Sequence, residues 1–233
     1  MGAGVELNYP QAHSITNLMP RKVRAIQNED GSATVTVSEW ERVYRTQWQI
    51  SFTLKPGEAR LLQHVVFYNR SHIPGRYRYW CNASVPVSEN FQFIYPEKMA
   101  SEHGGTNIIT WPNYLDNDWS FYRNIYEILG MYFLEAKDNF FGYYDYGRKF
   151  GVVHHGDRHR VPGKKVWSWG QTLYQWARKD DLSEGLGPYG ETQSGRPVNQ
   201  EHFEFIMPQE VIHWNEVWYP VKNLGRFIQA TDQ

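Results

Sequence analysis

The run Pro188-Tyr189-Gly190-Glu191-Thr192-Gln193 carries a carboxylate and an amide two residues apart. In an extended strand side chains alternate, so Glu191 and Gln193 share one face. A carboxylate and an amide on one face can both address a hydroxyl-rich ligand. The alternative is an edge strand with Glu191 in solvent. A second group of the same kind is Lys165, Trp167 and Trp169, which alternate onto one face of Lys164–Trp169. Paired aromatics suit a core, but an unpaired buried ammonium is costly. A pocket wall, with Lys165 paired to Glu191 or Asp157, removes that conflict. Trp80 and Asn82 repeat the aromatic-plus-amide pattern on another strand. Glu6, Asn8 and His13 sit in a polar, proline-containing stretch that is read as a loop and could line a pocket.

The densest polar cluster is His154-His155-Gly156-Asp157-Arg158-His159. His155, Asp157 and His159 would share a face if extended, a pattern that invites a metal. Arg158 and Arg160 place positive charge among those ligands, so no metal is expected and no cofactor is assigned. A polar rim ordering nearby loops and a sugar site both fit. Elbow-serine, phosphate-loop and dinucleotide fingerprints are missing. Cys81, the single cysteine, lies in an apolar strand with no obvious base and reads as a buried thiol.

The elements that must carry these residues are mostly strands. Lys22–Ile26, Ser32–Val37, Thr46–Leu54, Ala59–Asn69, Arg76–Ser84, Phe91–Tyr95, Met131–Glu135, Phe140–Tyr144, Gly151–His155, Lys164–Trp169 and Glu210–Tyr219 are strand candidates. Met99–Trp119, with His103, reads as a long functional loop. Trp119–Leu129 could form a short helix, and Gln171–Arg178 two helical turns. Many strands and few helices predict an all-β fold, a large antiparallel β-sandwich. Residues 1–233 are read as one domain.

Composition narrows the function classes. The formal net charge is −1 and basic residues do not cluster, which excludes a nucleic-acid footprint. No apolar run reaches membrane-spanning length, so no membrane partner is expected. One cysteine forbids a disulfide within the chain, and Met1–Glu6 lacks the regions of a signal peptide. A cytoplasmic location is the expectation from both.

Four segments resemble a bacterial family of unassigned function with the galactose-mutarotase-like fold, often found ahead of tetratricopeptide repeats. They are Gly4–Pro10 with His13, Tyr79–Pro86, Gly151–Gly170 and Tyr189–Gly195. The resemblance implies a supersandwich, a carbohydrate ligand, and tetratricopeptide repeats in a longer parent chain. That family has further strands ahead of Gly4-Val5-Glu6, so the chain is expected to lack the N-terminal strands of the fold. Glu191-Thr192-Gln193, followed by Pro197 and Asn199, is also similar to a signature of the aldose 1-epimerases, whose glutamate is the general base. The resemblance implies an isomerase-like activity at an anomeric centre with Glu191 in that role. The epimerases take their acid from an Asn-His-x-Tyr-Phe strand. The comparable Trp80–Ser84 has no histidine, so His155 or His159 is expected as the acid, with His103 a further candidate. Trp80, Trp167 and Trp169 would then be stacking walls. Asn82, Gln193, His103, Asp157, Lys165, Glu6 and His13 would bind substrate. Glycoside processing, a non-catalytic carbohydrate-binding domain and a protein-interaction domain are the alternatives.

Overall fold

A computed structural model describes residues 4–11, 13, 19–105, 107–172 and 182–225. The helical turns expected at Gln171–Arg178 lie largely outside these residues. Two large antiparallel sheets form the protein. The seven-stranded sheet runs in the order Val5–Asn8, Trp80–Pro86, Tyr189–Gly195, Gly163–Ser168, Leu129–Phe133, Met99–Glu102, Ile108–Thr110. The eight-stranded sheet runs Lys22–Gln27, Ala33–Trp40, Thr46–Leu54, Leu61–Asn69, Val211–Lys222, Phe150–Gly156, Phe140–Asp145, Phe91–Ile94.

Alternation along each strand divides the side chains between the two faces. Tyr79 and Cys81 face the eight-stranded sheet and join Trp48, Ile50, Val65, Phe67 and Trp214 in one buried cluster. Met131, Phe133 and Val166 do the same with Phe91, Phe93 and Phe141 in a second. The sandwich is therefore held by apolar burial between inner faces. One buried polar network crosses it. Glu216 accepts hydrogen bonds from Ser194 Oγ at 2.6 Å, Trp214 Nε1 at 2.8 Å and Gln63 Nε2 at 3.1 Å, and pairs with His154 Nε2 at 2.7 Å. Ser194 belongs to one sheet and Glu216 to the other, so this carboxylate ties them together.

Several expectations are corrected. Val5–Asn8 is a strand, not a loop, because it pairs with Trp80–Ala83. Arg76–Ser84 is not one strand. Gly75–Tyr77 pairs with Glu204–Ile206, and the chain then turns into Trp80–Pro86 in the seven-stranded sheet. Met99–Trp119 contains short strands, and Trp119–Leu129 holds only a 3-10 turn at Tyr122–Asn124. Tyr189–Gly195 lies inside the sheet with all seven residues buried, not at an edge. Its small residues let large rings approach: a Cβ on Gly195 would come 2.4 Å from the Trp80 ring.

Candidate functional site

The outer face of the seven-stranded sheet, turned away from the core, carries the polar residues in register. Glu6, Asn82, Gln193, Lys165 and Tyr132 form one cross-strand row. Ser84, Glu191, Trp167 and Gly130 form the next. Over these rows lies a cavity of about 500 Å³ lined by His13, Asn82, His103, Lys165, Trp167, Trp169, Tyr189, Glu191, Gln193 and Gln200, with Arg78, Leu182 and Glu201 also on its wall.

Aromatic rings line up along one side. His103 meets Trp167 edge-on at 5.2 Å, Trp167 meets Trp169 at 5.5 Å, and Trp169 meets Tyr189 at 6.3 Å. Trp167 can lie close to the sheet because its cross-strand partner is Gly130, where a Cβ would sit 2.6 Å from the indole. The Lys165 ammonium stands 5.0 Å from the centres of both the Tyr132 and the Trp167 rings. It donates to Gln200 Oε1 at 3.0 Å.

The charges are mutually dependent. Burial pushes the Glu191 carboxyl up from its ordinary value, Lys165 opposes that, and Glu6 adds to it. Burial lowers Lys165 to about 8, while Glu191 and Glu6 pull it back up. Glu6 is buried enough to resist ionisation, but hydrogen bonds from His13, Asn8 and Asn82 outweigh this and hold its pKa below the ordinary value. His13 Nδ1 lies 3.2 Å from Glu6 Oε1, and that hydrogen bond raises the pKa of His13. His103 is the opposite case: burial, then the charges of Lys165 and His13, lower it to about 4. The Tyr132 hydroxyl donates to Gln200 Oε1 at 2.7 Å, so His103 Nδ1 donates to Tyr132 Oη at 2.6 Å and Nε2 keeps its lone pair. At neutral pH His103 is therefore an acceptor from Nε2, not an acid.

Of the residues picked from sequence, Glu191, Gln193, Asn82, Lys165, Trp167, Trp169, His103 and His13 come together on this cavity. Glu6 stands behind them, joined through Asn82 Nδ2 at 3.0 Å and through His13. Four assignments are corrected. His155 lies on Phe150–Gly156 in the eight-stranded sheet and is exposed, because its neighbour His154 takes the inward position on Glu216. Asp157 and His159 are exposed on the turn after that strand, where Asp157 Oδ1 accepts the His159 backbone N–H at 2.9 Å. None of the three lines the cavity, and the carboxylates acting on Lys165 are Glu191 and Glu6, not Asp157. Trp80 is on the correct face but has no exposed surface, packed against Tyr132 at 5.8 Å and over Gly195, so it supports the cavity without lining it. Tyr132 and Gln200 were missed. Their link to Lys165 and His103 depends on sheet order and a distant loop, for which the sequence holds no periodic signal.

The chain belongs to the family described as domain of unknown function (DUF5107), whose model matches residues 1–221. It is similar over its whole length to part of a TPR-domain containing protein from Parabacteroides distasonis, with 25% identity and a TM-score of 0.86. It spans 40% of that chain. A galactose mutarotase-like protein from Clostridium acetobutylicum matches 90% of the chain at 12% identity and a TM-score of 0.64, covering 69% of that protein. A galactose mutarotase related enzyme from Lactobacillus acidophilus matches 96% at 11% identity and a TM-score of 0.61, covering 85% of it. The all-β fold is thus that of the galactose-mutarotase-like sandwiches.

Proposed function

We propose that the cavity binds a sugar and that the domain acts at its anomeric centre, with Glu191 as general base. The observation that carries this reading is a nearly fully buried carboxylate beside an ammonium and an indole wall, with His13 held on Glu6 at the same cavity. Aromatic faces suit the apolar face of a pyranose, and paired amides and carboxylates suit its hydroxyls. The likeness to a galactose mutarotase related enzyme supports the same class of chemistry.

In this reading the Glu191 carboxylate takes the proton of the C1 hydroxyl while an acid gives a proton to the ring oxygen. The C1–ring-oxygen bond breaks and the C1 carbonyl forms. Rotation about C1–C2 followed by closure on the other face gives the opposite anomer, with both protons returned. His13 is the acid that fits: hydrogen bonding to Glu6 favours its protonated form, and Nδ1 is occupied, which leaves Nε2–H for the substrate. His13 takes the role that the sequence suggested for His155 or His159. The relative from Parabacteroides distasonis also supports a place for this domain in a longer chain with tetratricopeptide repeats.

One observation favours a binding-only domain. The His13 side chain is 65% exposed, and water competes with an acid placed so openly. Nuclear magnetic resonance exchange spectroscopy on glucose, galactose and mannose separates the two readings. Acceleration of anomer exchange above the buffer rate supports the enzyme. Binding without acceleration leaves the carbohydrate-binding domain, and no binding to any sugar rejects both.

A further inference from the structure

Two buried hydrogen-bond acceptors on residues that line the cavity have no partner among the described residues. Asn82 and Gln193 are cross-strand partners, 3% and 1% exposed, and both line the cavity. Each amide nitrogen is committed to a carboxylate. Asn82 Nδ2 donates to Glu6 Oε2 at 3.0 Å, and Gln193 Nε2 donates to Glu191 Oε2 at 2.7 Å. Ionised carboxylates only accept, so with Glu6 and Glu191 charged these pairings decide which end of each amide is nitrogen. The remaining oxygens, Asn82 Oδ1 and Gln193 Oε1, have no partner among the described residues. Buried acceptors left unmade are costly, and two beside each other in a cavity need an explanation.

Resting on the reading that the cavity takes a sugar, we propose that Asn82 Oδ1 and Gln193 Oε1 receive two neighbouring hydroxyl donors of that sugar and determine which sugar is accepted. The floor is one-sided. Asn82, Gln193 and Glu191 present only oxygens to the ligand, since both amide nitrogens are turned onto carboxylates, and Glu6 adds its negative charge from behind Asn82. A ligand group there must bring a proton. A hydroxyl or an ammonium satisfies the floor, whereas a carboxylate or phosphate at the same position meets lone pairs and two negative charges. Lys165 leaves two of its three N–H groups for the ligand after bonding Gln200, so acceptors on the ligand belong at that end. A sugar fits because each hydroxyl both donates and accepts. Sites built around buried hydrogen bonds discriminate strongly against analogues lacking the partner group.

The test is an isothermal titration series on the whole chain. The best-binding sugar among glucose, galactose and mannose is compared with its deoxy, deoxyfluoro and deoxyamino analogues at each ring position. At two adjacent positions the deoxy and deoxyfluoro analogues are expected to bind about tenfold or more weakly, because hydrogen and fluorine cannot donate. The deoxyamino analogue at those positions is expected to keep its affinity. In Gln193→Ala the penalty at one of the two positions disappears, and in Asn82→Ala the other does. Deoxyfluoro analogues that bind undiminished at every position overturn the inference and leave the sugar reading intact, whatever the variants do. Failure of all three parent sugars to bind overturns the sugar reading and the inference with it.

Discussion

Trp167 and Glu191 are cross-strand partners on the outer face of the seven-stranded sheet. The indole wall and the buried carboxylate therefore stand at one level of the cavity, and neither depends on a loop for its position. Groups carried on paired strands are held more precisely than groups on loops. A ligand ring resting on Trp167 would present its edge to Glu191.

Trp167 is itself placed by the missing side chain at Gly130. Gly130→Ala puts a methyl 2.6 Å from the indole and must push the ring into the cavity. We predict that this variant folds, with an overpacking cost of about 1–3 kcal/mol, and loses sugar affinity about as severely as Trp167→Ala. Thermal melts and titrations on both variants check this. Wild-type affinity in Gly130→Ala would show that the ring does not form the binding wall.

If the cavity catalyses anomer exchange as proposed, its charges set a pH profile. Glu191 must be ionised to accept a proton, so activity falls as pH drops through its raised pKa. His13 must be protonated to donate, so activity falls as pH rises through its own raised value. The Lys165 ammonium lowers the pKa of both groups. Lys165→Met should therefore move both limbs of the profile to higher pH, besides weakening binding. Loss of the basic limb in this variant would assign that limb to Lys165, whose own pKa is about 8.

Replacing histidines one at a time separates the cavity from the opposite sheet. His13→Ala should reduce the rate of anomer exchange by about 10²-fold or more. His155→Ala and His159→Ala, both on exposed positions of the other sheet and its following turn, should leave it unchanged. Rates from progress curves at saturating sugar decide the matter, and a defect in either of the latter two would contradict the site as built.

Glu216 should be the costliest single loss for stability. It is fully buried and takes hydrogen bonds from both sheets, so Glu216→Ala strands His154 Nε2, Ser194 Oγ and Trp214 Nε1 together, while Gln63 keeps its bond to Tyr79. Removing one partner of a buried pair costs about 3–5 kcal/mol, which chemical denaturation would read directly. Hydrogen bonds to His154 and others lower its folded pKa against the opposing effect of burial. Its contribution is then present above the unfolded carboxylate value and is lost as pH falls through the folded one. A denaturation midpoint that does not fall as acid is added would argue against this.

Much of the sheet structure was legible in the sequence. Thr46–Leu54 alternates in sequence because one face is more deeply buried than the other, and Leu61–Asn69 stood out as a long apolar run whose burial alternates. Alternation also put Lys165 with Trp167, and Glu191 with Gln193, on the correct sides. What it could not supply was which sheet a strand joins. The histidine-rich segment looked like part of the site because its three histidines and an aspartate make the densest polar cluster in the chain, yet its strand belongs to the other sheet. The alternative of an edge strand with Glu191 in solvent does not hold for Tyr189–Gly195, although its glycines, serine and threonine carry little apolar surface. The bulk there comes from Trp80 and Phe93 on other strands. His13 reaches Glu6 through a residue with φ of 49°, a local geometry that leaves no periodic mark.

The proposed activity rests on Glu191 acting as a base, and one substitution tests it most directly. Glu191→Gln keeps the shape and the contact with Gln193 but cannot take up a proton as a carboxylate does. The rate of anomer exchange, followed by polarimetry on the sugar that the wild type turns over, should fall by about 10²–10⁴-fold, with affinity for that sugar held within a few-fold. Exchange at the wild-type rate in Glu191→Gln would contradict the assignment and the enzyme reading that depends on it.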